Sequence, residues 1–337
     1  MQPRIQIVAQ PTPLVPLPRL SETLGIDLWI KRDDLAGPSF GGNKARQLEY
    51  YFGAAEAAGA DTVLITGAVQ SNFVRLAAAT AAARGLRAVI QLEERVAESD
   101  PAYRRRGNVF LSQLLGATLL AYPEGEDEAG ADAALYAEAD TLSRAGRRPY
   151  VIPLAAGHPP LGALGYVDGA AEILAQKNDF DVFVVGSGSG MTHAGLLAGL
   201  RGHGSNARVI GGCVRRGADL QGPRIAGIVE RLQALYPGAA KVAPGDVCVW
   251  DGALRPGYGH AGPPALAAIT EMARCEGLIL DPVYTAKSYA TIPSLVASGQ
   301  IAPGSRVCFV HTGGLGAFSA YEDKIADLLG AQATGSF

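Results

Sequence analysis

The sequence predicts an α/β protein of two open, twisted, parallel-rich sheets flanked by helices. Short apolar runs alternate with longer stretches of helical periodicity, the order that strand–helix–strand units produce when a parallel sheet is covered on both faces. The 337 residues correspond to about two domains at roughly 150 residues each. Hydrophobic residues make up 48% and charged residues 18%, enough for a large core and too apolar for wholesale disorder.

The elements follow in order. Leu48, Tyr51, Phe52 and Ala55 recur at i, i+3, i+4 and i+7, so they share one helix face. Residues 63–66 read as a buried strand, and a helix carrying Ala77, Ala78 and Ala81 follows. Residues 88–92 and 118–121 are further strands, and the acidic stretch 125–130 is expected to be a surface loop. Residues 182–185 form the next strand, ahead of a helix with Leu196, Leu197 and Leu200. Residues 209–210 and 306–310 are the last, more weakly patterned strands. No internal repeat or Gly/Ser linker interrupts them.

Composition excludes several classes of function. Lys and Arg total 29 against 32 Asp and Glu, a net charge of -3; no basic field exists for nucleic acid or an anionic membrane. No run reaches the roughly 18 apolar residues of a membrane span. Met1 to Ile5 lacks the apolar core of a signal peptide. Cys213, Cys248, Cys275 and Cys308 form no C-x-x-C pair, and a reducing cytosol is expected.

Ligands of open parallel sheets sit beyond the carboxyl ends of strands, and three segments there carry unusual chemistry. After 182–185 comes Gly186-Ser187-Gly188-Ser189-Gly190-Met191-Thr192-His193-Ala194-Gly195. A strand, a glycine-rich turn and a helix N-terminus make a phosphate cradle from unpaired N–H groups and the positive end of the dipole. The dinucleotide fingerprint fails at Met191, the Walker pattern lacks its Lys before Thr192, and no nucleophile elbow surrounds Ser187 or Ser189. A phosphate monoester remains the best ligand, against the alternative of an ordinary glycine-rich turn. After 63–66, Gln70-Ser71-Asn72 concentrates three polar side chains where a helix cap requires one. The third segment runs from Lys31-Arg32-Asp33-Asp34 to Gly41-Gly42-Asn43-Lys44. A lysine at a helix start meets the wrong end of the dipole, which favours the neutral amine that a Schiff base needs.

Together with Leu280-Asp281-Pro282-Val283-Tyr284 and His311-Thr312-Gly313-Gly314, these blocks resemble the fold-type II (tryptophan synthase β-like) pyridoxal-phosphate enzymes. Within them the similarity is to the family of D-cysteine desulfhydrase and 1-aminocyclopropane-1-carboxylate deaminase. The resemblance implies that pyridoxal 5′-phosphate lies between a large domain, 1–45 with 160–337, and a small inserted domain, 46–159. Lys44 would bond the cofactor aldehyde and later move a proton. Asn72 would bind the ring 3′-oxygen; Gly188, Ser189, Gly190, Met191 and Thr192 would hold the phosphate; Asn43, Thr285 and Thr312 would also lie against the cofactor. Gln70, Ser71, Asn72 and Phe73 would face the substrate, with Ser71 at its carboxylate or in proton transfer, and Tyr258 and Tyr284 would flank it. A homodimer is the family's usual state.

Two positions separate the branches. The deaminase has Glu after the tyrosine of the Asp-Pro-Val-Tyr block, which keeps the pyridine nitrogen protonated; here Thr285 stands there, as Thr312 stands where the deaminase has Leu. Both favour β-elimination over cyclopropane opening. Phe73 replaces a His or Gln that follows Gln-Ser-Asn elsewhere in the family. It cannot donate a hydrogen bond, and is expected to give the pocket an apolar wall, against the alternative of a core residue on the first helical turn packed away from the site. Met191 and Ala286 replace small residues, usually glycine.

The remaining polar clusters read as structural. His193 and His311 lack metal-ligand spacing, and His311 is expected to hold backbone near the cofactor. Asp33-Asp34 is expected to pair with Arg32 or cap turns, and Arg104-Arg105-Arg106 to form a solvated helix face. The expected activity is C–S lyase-type β-elimination from a small β-substituted amino acid, giving aminoacrylate, then pyruvate and ammonia. The alternatives are a β-replacement synthase, a cyclopropane deaminase, and a non-catalytic cofactor binder.

Overall fold

The computed structural model describes residues 2–96, 101–155 and 157–330. Its strands are β1 (Leu14–Pro16), β2 (Asp27–Lys31), β3 (Thr62–Ala68), β4 (Arg87–Glu93), β5 (Thr118–Tyr122), β6 (Pro149–Ile152), β7 (Val182–Ser187), β8 (Arg208–Cys213), β9 (Cys248–Trp250) and β10 (Arg306–Val310). The larger sheet runs β1-β2-β10-β7-β8-β9 and the smaller β5-β4-β3-β6. The β1–β2 pair is antiparallel, and the others are parallel. The strands of the smaller sheet all fall inside 46–159.

Every strand expected from sequence is present, and the four not anticipated are explained by their place in the sheets or by their charged ends. β1, β6 and β9 are short edge strands, where Pro16 and Pro149 are tolerated because one side needs no donor. β2 is central, but Asp27 and Lys31 at its ends break its apolar pattern. β3 is buried along its whole length, so it reads as a continuous apolar run rather than an alternation.

The core lies on both faces of the larger sheet. On one face Val307, Phe309, Leu28 and Ile30 pack with Tyr289, Ile292 and Leu295. On the other, Cys308, Val310, Phe183 and Val185 meet Leu196, Leu197 and Leu200. The period-two alternation along β10 assigns its side chains to the two faces.

Three local expectations need correction. The stretch 125–130 is not a simple loop, because the Glu128–Arg144 helix begins within it, capped by Asp127 accepting from Gly130 N at 2.9 Å. Glu128 is largely buried against arginines of the larger-sheet half. Arg104, Arg105 and Arg106 lie on a turn ahead of the Gly107–Leu114 helix rather than on a helix face; Asp100 lies outside the described residues. Asp34 does pair with Arg32, at 2.7 Å, but Asp33 is buried and takes Arg46 at 2.9 Å, with Thr12 and Tyr166 completing its shell. That arginine holds the Asp33 carboxyl down at about 2 against the opposing effect of burial. Among the described residues no helix is long and apolar enough to cross a membrane.

Candidate active site

The carboxyl ends of β3, β7 and β10 face one cleft of about 520 Å³. The Lys44 turn reaches it through backbone that only glycine accommodates. Gly41 has φ +58, and a Cβ there would lie 2.3 Å from the Asp34 carbonyl oxygen. Asn43 N then donates to Thr312 O at 3.1 Å, tying the turn to the loop after β10. Lys44 opens the Lys44–Ala57 helix. Burial pushes its amine down to about 8, and the helix dipole acts in the same direction. Its Nζ reaches Gln47 Oε1 at 3.4 Å and faces the Phe73 ring at 5.4 Å.

Ser71 caps the Asn72–Ala83 helix, its Oγ accepting from Phe73 N at 3.2 Å. Asn72 Oδ1 accepts from Asn108 Nδ2 at 3.0 Å and Arg75 Nη2 at 3.3 Å, which leaves its Nδ2 for the cleft. Phe73 packs edge-on against Tyr51, with centroids 6.1 Å apart, and also lines the cleft. It is core residue and pocket wall at once. Gln70 is not brought to the cleft. Its Nε2 donates to Tyr103 O and Arg106 O at 2.5 and 3.0 Å, and its Oε1 accepts from Asn108 N at 2.9 Å.

The glycine-rich loop is tied back by its carbonyls. Gly188 O accepts from Gln221 Nε2 at 3.0 Å and Ser189 O from Arg224 Nε at 2.9 Å. The N–H groups of Gly188, Ser189 and Gly190 have no backbone acceptor among the described residues. Gly190 sits at φ +104, and a Cβ there would meet Ile228 at 2.6 Å. Thr192 Oγ1 accepts from Asn43 Nδ2 and Gln47 Nε2, both at 2.8 Å, so its own proton is free to donate. The Met191 side chain packs with Ile225 and Ile228; it offers the cleft only its N–H.

The two threonines part company. Thr312 lines the cleft. Thr285 is fully buried outside it, its hydroxyl donating to Asp281 Oδ1 at 2.7 Å and accepting from Asp281 N at 2.7 Å. With its one proton spent on Asp281, the hydroxyl has none to donate to a ligand. Tyr258 and Tyr284 lie hydroxyl to hydroxyl at 2.5 Å, and burial raises both phenols. Both therefore stay protonated at neutral pH. His311 donates from Nε2 to Ile279 O and accepts at Nδ1 from Gly313 N, each at 3.2 Å, so it shapes the loop after β10. His193 is buried with its Nδ1 3.2 Å from Ser187 Oγ, and burial pushes it down to about 4.

A second compartment of about 460 Å³ continues from Lys44, Ser71, Phe73 and Tyr284 towards Tyr258, Arg95 and Arg215. Sequence reasoning missed those arginines, and it missed Gln47, Arg75 and Asn108. Gln47 alone carried a usable signal, since it lies three residues after Lys44 on the same helix face. Arg75 is fully buried without a carboxylate partner among the described residues, and burial lowers it to about 10. The described residues hold no cluster suited to a metal ion.

Residues 5–313 match the family model described as pyridoxal-phosphate dependent enzyme. D-cysteine desulfhydrase of Salmonella typhi is 38% identical over 326 residues, 96% of this chain and 97% of that one. The enzyme of the same name from Salmonella choleraesuis (strain SC-B67) matches to the same extent. Among solved structures, an ACC deaminase homologue superposes with a TM-score of 0.84 at 33% identity, covering 97% of this chain and 96% of that one. An O-ureido-L-serine synthase shares the fold, with a TM-score of 0.64 at 21% identity over 92% of each chain.

Proposed function

This chain belongs to the pyridoxal-phosphate dependent enzymes, and we propose that within that family it is a lyase performing β-elimination on a small β-substituted amino acid. The residues fit the cofactor. Lys44 presents a buried, weakly partnered amine to the aldehyde. The N–H groups from Gly188 to Thr192 and the Thr192 hydroxyl suit the phosphate, with the dipole of the Met191–Gly202 helix behind them. Asn72 Nδ2 is the donor for the ring oxygen, and Asn43 fixes the Thr192 hydroxyl. When bound, the cofactor draws electron density from the substrate Cα and makes its proton acidic.

The chain's own groups divide the rest of the work. Ser71 and the first N–H groups of its helix hold the α-carboxylate. Lys44 Nζ, released when the substrate amine replaces it, takes the Cα proton. Tyr258 and Tyr284, held protonated, stand beside the β-substituent; one phenol donates to the other, so the pair has one proton left to offer it. Phe73 and Tyr284 both wall the cleft beside Lys44, which suits it to small substrates.

One observation carries elimination over ring opening: no carboxylate lines either compartment among the described residues. Thr312 lines the cleft and would face the pyridine end of the cofactor, where a hydroxyl would not keep the ring nitrogen charged. A neutral ring suffices to expel a good β-leaving group and is a poor sink for opening a cyclopropane. For cysteine the balance is cysteine plus water giving hydrogen sulfide, pyruvate and ammonium. The test is release of pyruvate and ammonia by the holoenzyme from a panel of D- and L-amino acids headed by D-cysteine. Faster opening of 1-aminocyclopropane-1-carboxylate than any elimination would overturn the reading in favour of a deaminase. A new β-substituted amino acid without pyruvate would overturn it in favour of a synthase, and a loaded but inert protein would leave a cofactor binder. The family reading also carries a cytosolic homodimer with small domain 46–159, in keeping with four unpaired thiols; light scattering of the holoenzyme tests the dimer.

A further inference from the structure

We propose that the β-substituent of the substrate is a sulfonate, bound between Arg95 and Arg215; the proposal rests on the lyase reading above and names its substrate class. The second compartment leaves Lys44, Ser71 and Tyr284 and ends on these two guanidinium groups. Their side chains are 6% and 4% exposed. Glu93 engages Arg95 through Nε, at 2.8 Å, and Nη2, while Nη1 makes no hydrogen bond among the described residues. Arg215 spends Nη1 on Glu128 and Nη2 on Glu126 and Gly125 O, while its Nε is buried with no partner among the described residues. Both residues line the compartment, and a buried N–H without an acceptor, as at Arg215 Nε, is costly unless a ligand supplies one.

The local charge count agrees. Arg95, Arg215, Arg216 and Arg224 pair among Glu93, Glu126 and Glu128, four cations against three anions. Arg216 and Arg224 turn to the carbonyls of Gly188 and Ser189, so Arg95 and Arg215 are what the compartment presents. The substrate α-carboxylate already has Ser71 and a helix N-terminus, which leaves the arginines to the substituent. A thiol offers one small atom to two planar forks, whereas a sulfonate offers three oxygens in the geometry that guanidinium groups chelate. The surplus of one positive charge suits a sulfonate monoanion better than a phosphate dianion. A carboxylate substituent would bind but could not leave, because a C–C bond would have to break.

The step balances without a further reactant. Lys44 Nζ takes the Cα proton, the Cβ–S bond breaks with its electron pair going to sulfur, and water completes the conversion. Cysteate plus water yields hydrogensulfite, pyruvate and ammonium. The arginines hold the sulfonate before and during departure, so their effect falls mostly on KM.

The holoenzyme is assayed for pyruvate and sulfite with both enantiomers of cysteate, cysteine, β-chloroalanine and O-phosphoserine. One cysteate enantiomer is expected to exceed either cysteine in kcat/KM by about 10- to 100-fold, as charge-assisted hydrogen bonds allow. Arg95→Gln and Arg215→Ser should each lower the cysteate to β-chloroalanine ratio of kcat/KM by about the same factor, mostly through KM. The bound-cofactor absorbance of each variant reports that it is folded and loaded, and the wild-type panel needs no variant. Cysteate slower than cysteine, with β-chloroalanine turned over, would overturn the sulfonate site and leave the lyase intact. Faster elimination from O-phosphoserine than from cysteate would overturn the choice of anion. Turnover of none of them would overturn the lyase reading itself.

Discussion

At Lys44 two effects push one way. Burial and a helix N-terminus both disfavour the ammonium, and its hydrogen-bond partner among the described residues is the neutral Gln47 amide at 3.4 Å. The amine loses its proton near pH 8, and only the neutral form attacks an aldehyde. Covalent loading of the apoprotein with pyridoxal phosphate should therefore accelerate from about pH 7 to about pH 9 and then level off. Stopped-flow absorbance checks this; a flat profile would place the amine's titration elsewhere. Lys44→Ala should lose both the borohydride-stable adduct and turnover. Phe73 makes the second residue-level case. Its ring lies 5.4 Å from Lys44 Nζ and borders both compartments, so a donor placed there would reach the substrate. Phe73→His should raise the rate on D-cysteine and lower it on the preferred substrate, by about 1–3 kcal/mol of transition-state stabilisation. Unchanged rates on both would reduce Phe73 to a packing partner of Tyr51.

Elements decide which of these residues could be read from the chain. Lys44, Ser71, Asn72 and the Gly188–Thr192 loop, which the fold brings to one cleft, could be picked out because each directly follows a strand or a glycine turn, where ligands of parallel sheets gather. Gln70 and Thr285 were misplaced because neighbours in sequence leave a helix start in different directions. Gln70 turns to Asn108 and Thr285 to Asp281, contacts that no local pattern encodes. Arg95, Arg215 and Glu128 were invisible for the same reason, since they meet only through the tertiary fold. Glu128 opens the Glu128–Arg144 helix and joins Arg215, Arg216 and Arg224 at 2.7, 2.5 and 3.1 Å. Two of those arginines hold carbonyls of the glycine-rich loop. Glu128→Gln would leave three cations facing one another and loosen the loop's N–H cradle. Cofactor dissociation from the variant should quicken about tenfold, equivalent to about 1.4 kcal/mol. Dialysis followed by absorbance measures it, and an unchanged off-rate would show the loop to be held by Gln221 alone.

At the scale of the whole molecule, the cleft draws on both sheets. Ser71, Asn72 and Phe73 follow β3 of the smaller sheet; Gly188 to Thr192 and Thr312 follow β7 and β10 of the larger. A ligand gripped by both halves binds only when both are folded and correctly apposed. Binding to the native state alone stabilises it by about 2.7 kcal/mol when free ligand is a hundredfold above its Kd. Pyridoxal phosphate should thus raise the melting temperature of the apoprotein by several degrees and sharpen the transition, since the two sheets then unfold as one. Lys44→Ala keeps the phosphate cradle, so it should show the rise in excess cofactor but lose it on dialysis. The borohydride-reduced wild type should keep it. Differential scanning calorimetry of the three samples distinguishes them. If the reduced wild type, with cofactor covalently in place, melted no higher than the apoprotein, the cofactor could not be bridging the two sheets, and the cleft between β3, β7 and β10 would not be its seat.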